Sequence, residues 1–342
     1  MTTIIGHDAQ IAAFLSELSG ARLHHAWLFH GPGGIGKASV AYALAKRALC
    51  VAAGPPIAHD GLHVPDNHPI AKLVDASSHP DLVLLERLSK DPKAVRDLDR
   101  RDWPENLERA RSISVDQVRG LSSVFALKPS FSARRIVIVD AIDDMERAGA
   151  NALLKSLEEP PSGTVFLLIS HAPGRLLPTI RSRCRTLRFD PLDENAMRGV
   201  VREKLPNADE SEVSALIGAG DGSPGRALGF AGLDIAGLDA ALALIVSKGD
   251  AHNTIRCELA QKLSLKSAQA RYEAFLTRAP MFIAHVAKQR SGPPLAAAIS
   301  AWDAARGLSD SALRQSLDPQ MTVFALAGIV AGLAPVGTSA KA

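Results

Sequence analysis

Cysteine is scarce: Cys50, Cys184 and Cys257 are the three thiols in 342 residues. Such scattered thiols argue against a disulfide framework and fit a reducing compartment. Aromatic residues make up 4% of the chain. No recognition helix with interleaved aromatics is legible, so a nucleic-acid switch acting alone is not favoured. Charge of either sign is nearly balanced, with 39 Lys and Arg against 36 Asp and Glu and a net charge of +3. That gives no global electrostatic case for wrapping nucleic acid, although a local basic strip remains open. Long apolar runs are missing too. The most apolar late stretch, Met321 to Ala334, is too short to span a bilayer and contains Gly328 and Gly332, so it reads as a buried packing helix. The opening residues MTTIIGHDAQ have no basic region ahead of an apolar core. No secretion signal is expected, and the expected location is the cytoplasm.

What is present is enough for two or three domains at ordinary globular composition, 46% hydrophobic and 22% charged. Apolar positions at helical spacing from Ile4 to Leu18 predict an opening helix capped by Asp8. Residues 26–30 (AWLFH), 81–86 (DLVLLE), 135–140 (RIVIVD), 164–170 (TVFLLIS) and 185–189 (RTLRF) predict five strands with helical stretches between them. Ser114-Val115-Asp116-Gln117 predicts a capping-box helix start, and Pro160-Pro161 ends a helix over 148–159. Alternating strands and helices imply a mostly parallel α/β sheet covered on both faces. After a hinge at Asp190-Pro191-Leu192 the pattern turns helical to the end. Residues 218–225 read as a glycine-rich loop, 91–111 as a charged, solvated insertion, and 336–342 as a disordered tail.

The stretch Gly31-Pro32-Gly33-Gly34-Ile35-Gly36-Lys37-Ala38 meets seven of the eight positions of G-x-x-x-x-G-K-[ST], the phosphate-binding P-loop. Its backbone N–H groups and the following helix N-terminus attract phosphate oxygens, and Lys37 reaches the outer phosphates. Flanking strand and helix raise the match above coincidence. Ala38, however, cannot give Mg²⁺ the hydroxyl that the pattern requires, and Ser39 is rotated roughly 100° away on a helix. Asp140 ends an apolar strand and could face a metal, yet Ala141 follows it where an acid would polarise water. Asp143 and Asp144 read more simply as acids at a helix start. The arginines Arg181 and Arg183 of PTIRSRC read, on composition alone, as surface charge.

Four stretches together carry a resemblance: HHAWLFHGPGGIGK (24–37), SHPDLVLLE (78–86), NALLKSLEEPP (151–161) and PTIRSRC (178–184). In this order they resemble the delta-prime family of bacterial DNA polymerase III clamp-loader subunits, in the AAA+ superfamily. The resemblance covers residues 1–230. It implies an AAA+ P-loop core over 1–190, a helical lid over 191–233 and a C-terminal all-α oligomerisation collar over 234–335. It also implies a hetero-pentamer with delta and gamma/tau type subunits, acting on the sliding clamp and primer-template DNA during replication. Ser182, Arg183 and Cys184 match the family's Ser-Arg-Cys motif, whose arginine acts in trans as a finger on a neighbour's ATP. Gly31, Gly36, Lys37 and Asp140 match its nucleotide site, in degenerate form.

Two departures accompany the resemblance. The arginine after Gly222-Ser223 is Arg226, one position later than in ATP-binding relatives. Of the four zinc cysteines often found after the P-loop helix, Cys50 alone remains. His59, His63, His68 and His79 form no tight ligand pair, so zinc is not expected. The expected role is a largely non-hydrolytic stator of the polymerase holoenzyme, with no required cofactor and room for residual ATP binding. The competing reading is a self-sufficient AAA+ ATPase with weak turnover of its own.

Overall fold

The computed structural model describes residues 4–20, 23–93, 95 and 107–335. The chain divides into two compact units, residues 1–200 with 222–225, and residues 201–221 with 226–342. The first contains α1 (Asp8–Ser19), β1 (Ala26–His30), α2 (Lys37–Ala52), α3 (Pro69–Asp75), β2 (Leu82–Glu86), α4 (Val115–Phe125), β3 (Arg135–Asp140), α5 (Arg147–Glu158), β4 (Thr164–Ser170), α6 (Pro178–Arg181) and β5 (Arg185–Arg188).

All pairings are parallel, in the order β2-β3-β4-β1-β5. Strands buried on both faces need apolar residues throughout, and β4 is buried at every position. Alternate residues serve opposite faces. Trp27, Phe29, Ile136, Ile138, Leu167 and Ile169 pack with Phe14 of α1 and Leu44 and Leu49 of α2. On the other face Leu28, Val137, Val139, Phe166 and Leu168 meet Val118 and Leu121 of α4 and Leu153 and Leu157 of α5. Each large side chain so buried contributes about 1.5–3 kcal/mol before entropy is counted.

The capping box at α4 forms as its sequence predicts, Gln117 N donating to Ser114 Oγ at 3.4 Å and Ser114 N to Gln117 Oε1 at 3.0 Å. The start of α1 differs. His7, at φ 64°, is the cap position and makes no side-chain capping bond, while Asp8 is the first helical residue, an acid in the first turn. His7 instead donates through Nε2 to the Ile35 carbonyl at 2.7 Å.

The expected loop over 218–225 is also shorter. α8 (Glu210–Gly220) runs through Gly218, started by Asp209, whose Oδ1 accepts from Glu212 N at 2.8 Å. Asp221, in the left-handed conformation at φ 47°, ends it. The far end of the charged insertion pairs with the segment just after β2, outside the sheet. Ser89 and Arg109 form an antiparallel bridge, with Lys90 N donating to Glu108 O at 2.9 Å. Residues 94, 96–106 and the expected tail over 336–342 lie outside the described residues.

The second unit is helical. α7 (Glu194–Lys204) and α9 (Pro224–Gly229) each cross the division, and α8, α10 (Ile235–Lys248), α11 (Thr254–Leu263), α12 (Gln269–Lys288), α13 (Gly292–Gln315) and α14 (Pro319–Ala331) complete it. The apolar face of α14 (Val323, Leu326, Ala327 and Val330) is fully buried against α10 to α13 of the same chain. Arg278 of α12 forks onto Asp239 of α10 at 2.6 and 2.8 Å. Among the described residues no helix is long and apolar enough to cross a membrane.

Asp81, fully buried, organises the entry to the sheet. Its carboxylate accepts from Ser130 N (2.8 Å), Phe131 N (3.1 Å) and Arg135 Nη2 (3.5 Å). Removing one partner of a buried pair strands the other, so Asp81→Ala should lower the unfolding free energy by about 3–5 kcal/mol. Asp81→Asn, which keeps one acceptor, should lose less. Urea unfolding of the three proteins checks this, and an alanine loss below about 1 kcal/mol would refute the assigned role.

Candidate functional site: a P-loop cradle and a displayed arginine

Parallel pairing sends the C-terminal ends of β1 to β4 to one edge, where ligand sites of open α/β sheets form. There β1 passes into Gly31, at φ 153°, where an added Cβ would stand 2.1 Å from the Phe189 carbonyl oxygen. A glycine is required by that approach. Gly36, at φ 98°, occupies the cap position of α2 without a side-chain capping bond, leaving the first N–H groups of α2 available to an anion. Open space surrounds the Cβ positions of Gly33 and Gly36.

Lys37 is 2% exposed. Its Nζ donates to the carbonyls of Gly31 (2.8 Å) and Pro32 (2.5 Å), both within the loop. Burial lowers its pKa to about 8, against the opposing pull of the Asp140 and Asp143 carboxylates. The segment 222–225 seats on the same loop. Ser223 Oγ donates to Gly33 O at 3.0 Å and Gly225 N to Gly34 O at 2.8 Å. A Cβ on Gly225 would stand 3.0 Å from the Gly34 backbone, so glycine permits this close approach. Arg226, next in sequence, donates to Gly220 O at 3.2 Å within the second unit.

Asp140 ends β3 opposite Glu86 of β2. Burial raises its pKa above the usual carboxylate range; His171 and Lys37 oppose the rise, and Glu86 and Asp144 add to it. Ala141 is buried, and Ala38 packs against the hydrophobic core beneath the loop. Ser39 is exposed. The cradle suits phosphate oxygens, while position 38 offers no hydroxyl and position 141 no acid; the acids near Asp140 are Glu86 and Asp144.

Asp143 and Asp144 are acids in the first turn of a short 3-10 helix over 142–144, rather than of α5. Asp143 accepts from Ser170 Oγ (2.9 Å), His171 N (2.5 Å) and Ala172 N (3.3 Å), tying the turn after β3 to the end of β4. Asp144 pairs with Arg87 at 3.0 Å. Neither role is marked by sequence spacing.

The residues of PTIRSRC gather around α6. Ile180 is 1% exposed and anchors it in the core shared with α5. Ser182 Oγ donates to Thr179 O at 3.1 Å. Arg183 Nη1 donates to Thr179 O at 2.9 Å, and Nη2 lies 2.6 Å from Glu158 Oε1. Sequence reading misses Glu158 as a partner, although it lies within the SLEEPP stretch.

Around the histidine-rich loop, His68 is buried and donates through Nε2 to Pro55 O at 3.2 Å, and His79 Nδ1 accepts from Asp81 N at 3.1 Å. Among the described residues no group of three His, Cys, Asp or Glu side chains could hold a metal ion.

The five-stranded parallel sheet, the P-loop and the helices after it define a module of the AAA+ type. A family model described as "DNA polymerase III, delta subunit" matches residues 6–193, more than half of the chain. The chain belongs to that family, among the bacterial clamp-loader AAA+ subunits of the delta-prime and gamma/tau group. It is 35% identical over 216 residues to the DNA polymerase III subunit delta' of Pseudomonas aeruginosa, covering 62% of this chain and 57% of that one. It is 34% identical over 183 residues to the delta' subunit of Bacillus subtilis, covering 54% and 47%. A gamma/tau subunit of Mycobacterium tuberculosis is 31% identical over 225 residues, covering 65% and 34%. The chain thus spans about half the length of the delta' relatives.

Burial raises the Cys184 thiol to about 12 and the Cys50 thiol to about 11, while Cys257 is exposed. Both raised values keep the thiol form in the fold well above pH 8, where the reactive thiolate is absent. Iodoacetamide at pH 8 should label Cys257 alone in the folded chain, and all three in denaturant. Native-state labelling of Cys184, read by mass spectrometry, would contradict the shielding of this partly buried thiol.

Proposed function

We propose that this chain is the delta-prime subunit of a clamp loader, a largely non-hydrolytic stator that lends Arg183 to a neighbouring subunit's ATP. One contrast carries the reading. Ala38 and Ala141 stand where the metal and water ligands would be, while Arg183 is held at the surface by Thr179 O and Glu158.

Phosphoryl transfer spreads negative charge over the transferred oxygens, and an arginine supplied in trans accelerates it by about 10³–10⁵ in GTPases. Arginine suits the task because it stays charged and its planar fork can hold two oxygens. A chain that supplies this group needs no turnover of its own, and its P-loop persists with Lys37 bonded to the loop's own carbonyls. Residues 1–190 would serve as the AAA+ core, 191–233 as its lid and 234–335 as the collar joining delta and gamma/tau type subunits in a hetero-pentamer. Through that assembly the chain would act on the sliding clamp and primer-template DNA in the cytoplasm. No cofactor is required, and weak ATP binding to the open cradle is compatible with the role. Zinc has no part in it.

The intact cradle and Lys37 favour one other reading, a self-sufficient ATPase. Magnesium-dependent phosphate release by the pure chain, abolished by Lys37→Ala, would establish it; we expect none. In reconstituted loaders at equal assembly, Arg183→Ala should lower DNA-stimulated ATP turnover by at least about tenfold. Arg183→Lys should rescue poorly, since a point charge lacks the fork. Wild-type turnover in the alanine complex would return Arg183 to ordinary surface charge.

A further inference from the structure

The last residue of α5, Glu158, faces Arg183 across a gap that the fold itself sets. Leu153 and Leu157 of α5 share one core with Ile180 of α6, so the helix carrying the carboxylate and the turn carrying the arginine are placed by the same packing. Cys184, next to Arg183, packs against that core as well. Between these anchors the guanidinium is held twice, by Thr179 O at 2.9 Å and by Glu158 Oε1 at 2.6 Å. A guanidinium has five N–H donors, and these two contacts engage one on each terminal nitrogen. Donors remain for a further oxygen-rich ligand.

From this arrangement we propose that Glu158 is a positioning residue for Arg183, fixing its rotamer before a neighbour's nucleotide arrives. The inference rests on the reading of Arg183 as a finger in trans. An unheld arginine side chain is spread over many rotamers, and ordering it during the reaction costs entropy that prior restraint removes. The restraint must also be weak enough to yield. With the arginine 34% and the glutamate 48% exposed, the pair is solvent-screened, so its hold on Arg183 is shallow beside that of a buried pair. A short charge-assisted hydrogen bond gives direction, and exposure keeps it exchangeable.

The test uses complete loader complexes reconstituted with Glu158→Ala, Glu158→Gln, Arg183→Ala and the double variant Glu158→Ala/Arg183→Ala, compared at equal assembly. Glu158→Ala should lower kcat for DNA-stimulated ATP hydrolysis about three- to tenfold with KM for ATP unchanged. Glu158→Gln, which can still accept the hydrogen bond, should keep most of the rate. The double variant should be no slower than Arg183→Ala, because a residue acting through the arginine has nothing left to position. Wild-type kcat in Glu158→Ala beside an impaired Arg183→Ala overturns the positioning role and leaves the finger standing. A further loss in the double variant makes Glu158 structural and overturns it too, as does failure of both Glu158 variants to assemble. Wild-type turnover in Arg183→Ala removes the finger and this inference together.

Discussion

Parallel strand pairing is the constraint on which the rest of the first unit depends. It sends Glu86, Asp140, Ser170 and the Gly31 turn to the same edge of the sheet, adjacent across β2, β3, β4 and β1. It also requires every connection to cross a face of the sheet, which is why α2, α4 and α5 cover it and why β4 is buried along its whole length. The edge is then braced by polar contacts rather than by packing. Asp143 fastens the turn after β3 to the end of β4, and the Lys37 amine bonds the two carbonyls at the start of the P-loop. A nucleotide-binding shape thus exists whether or not chemistry takes place in it.

Ala38 packs, partly buried, against the core that α2 shares with the sheet, and Ala141 is buried just after β3. The charge of Lys37 is met within the loop by the Gly31 and Pro32 carbonyls. The loop is further tied by Ser223 and Gly225, whose approach to Gly33 and Gly34 joins residues nearly two hundred positions apart within the same compact unit.

Much of this was legible in the sequence because it depends on local periodicity and turn chemistry. The five strands agree to within a residue, and the Ser114–Gln117 box forms. Long-range polar partners were not legible, since no spacing rule links Asp81 to Ser130 and Arg135, or Glu158 to Arg183. Two local readings differ from the structure, each for its own reason. His7 took the cap position expected of Asp8 because its ring is engaged by Ile35 and Phe189. α8 runs through Gly218 because its other residues favour helix, and the turn signal acts only at Asp221. The hydrophobic run in α14 was read correctly as a packing helix. Its fully buried face is covered by its own unit, so its apolar character alone calls for no partner.

Placement and strength are separated at Arg183. The core fixes where the arginine stands, since Ile180 and Leu157 are at most 1% exposed and such packed positions do not drift. The ion pair that orients it is exposed on both sides and therefore shallow. Were the pair buried, its hold would be too strong to exchange for a phosphate, because separating buried charges strands one of them. Were it absent, the long side chain would spread over many rotamers. On the proposed reading of Arg183 as a finger in trans, a group that waits in one chain and works in another is suitably held by a rigid base and a weak, directional contact at its tip.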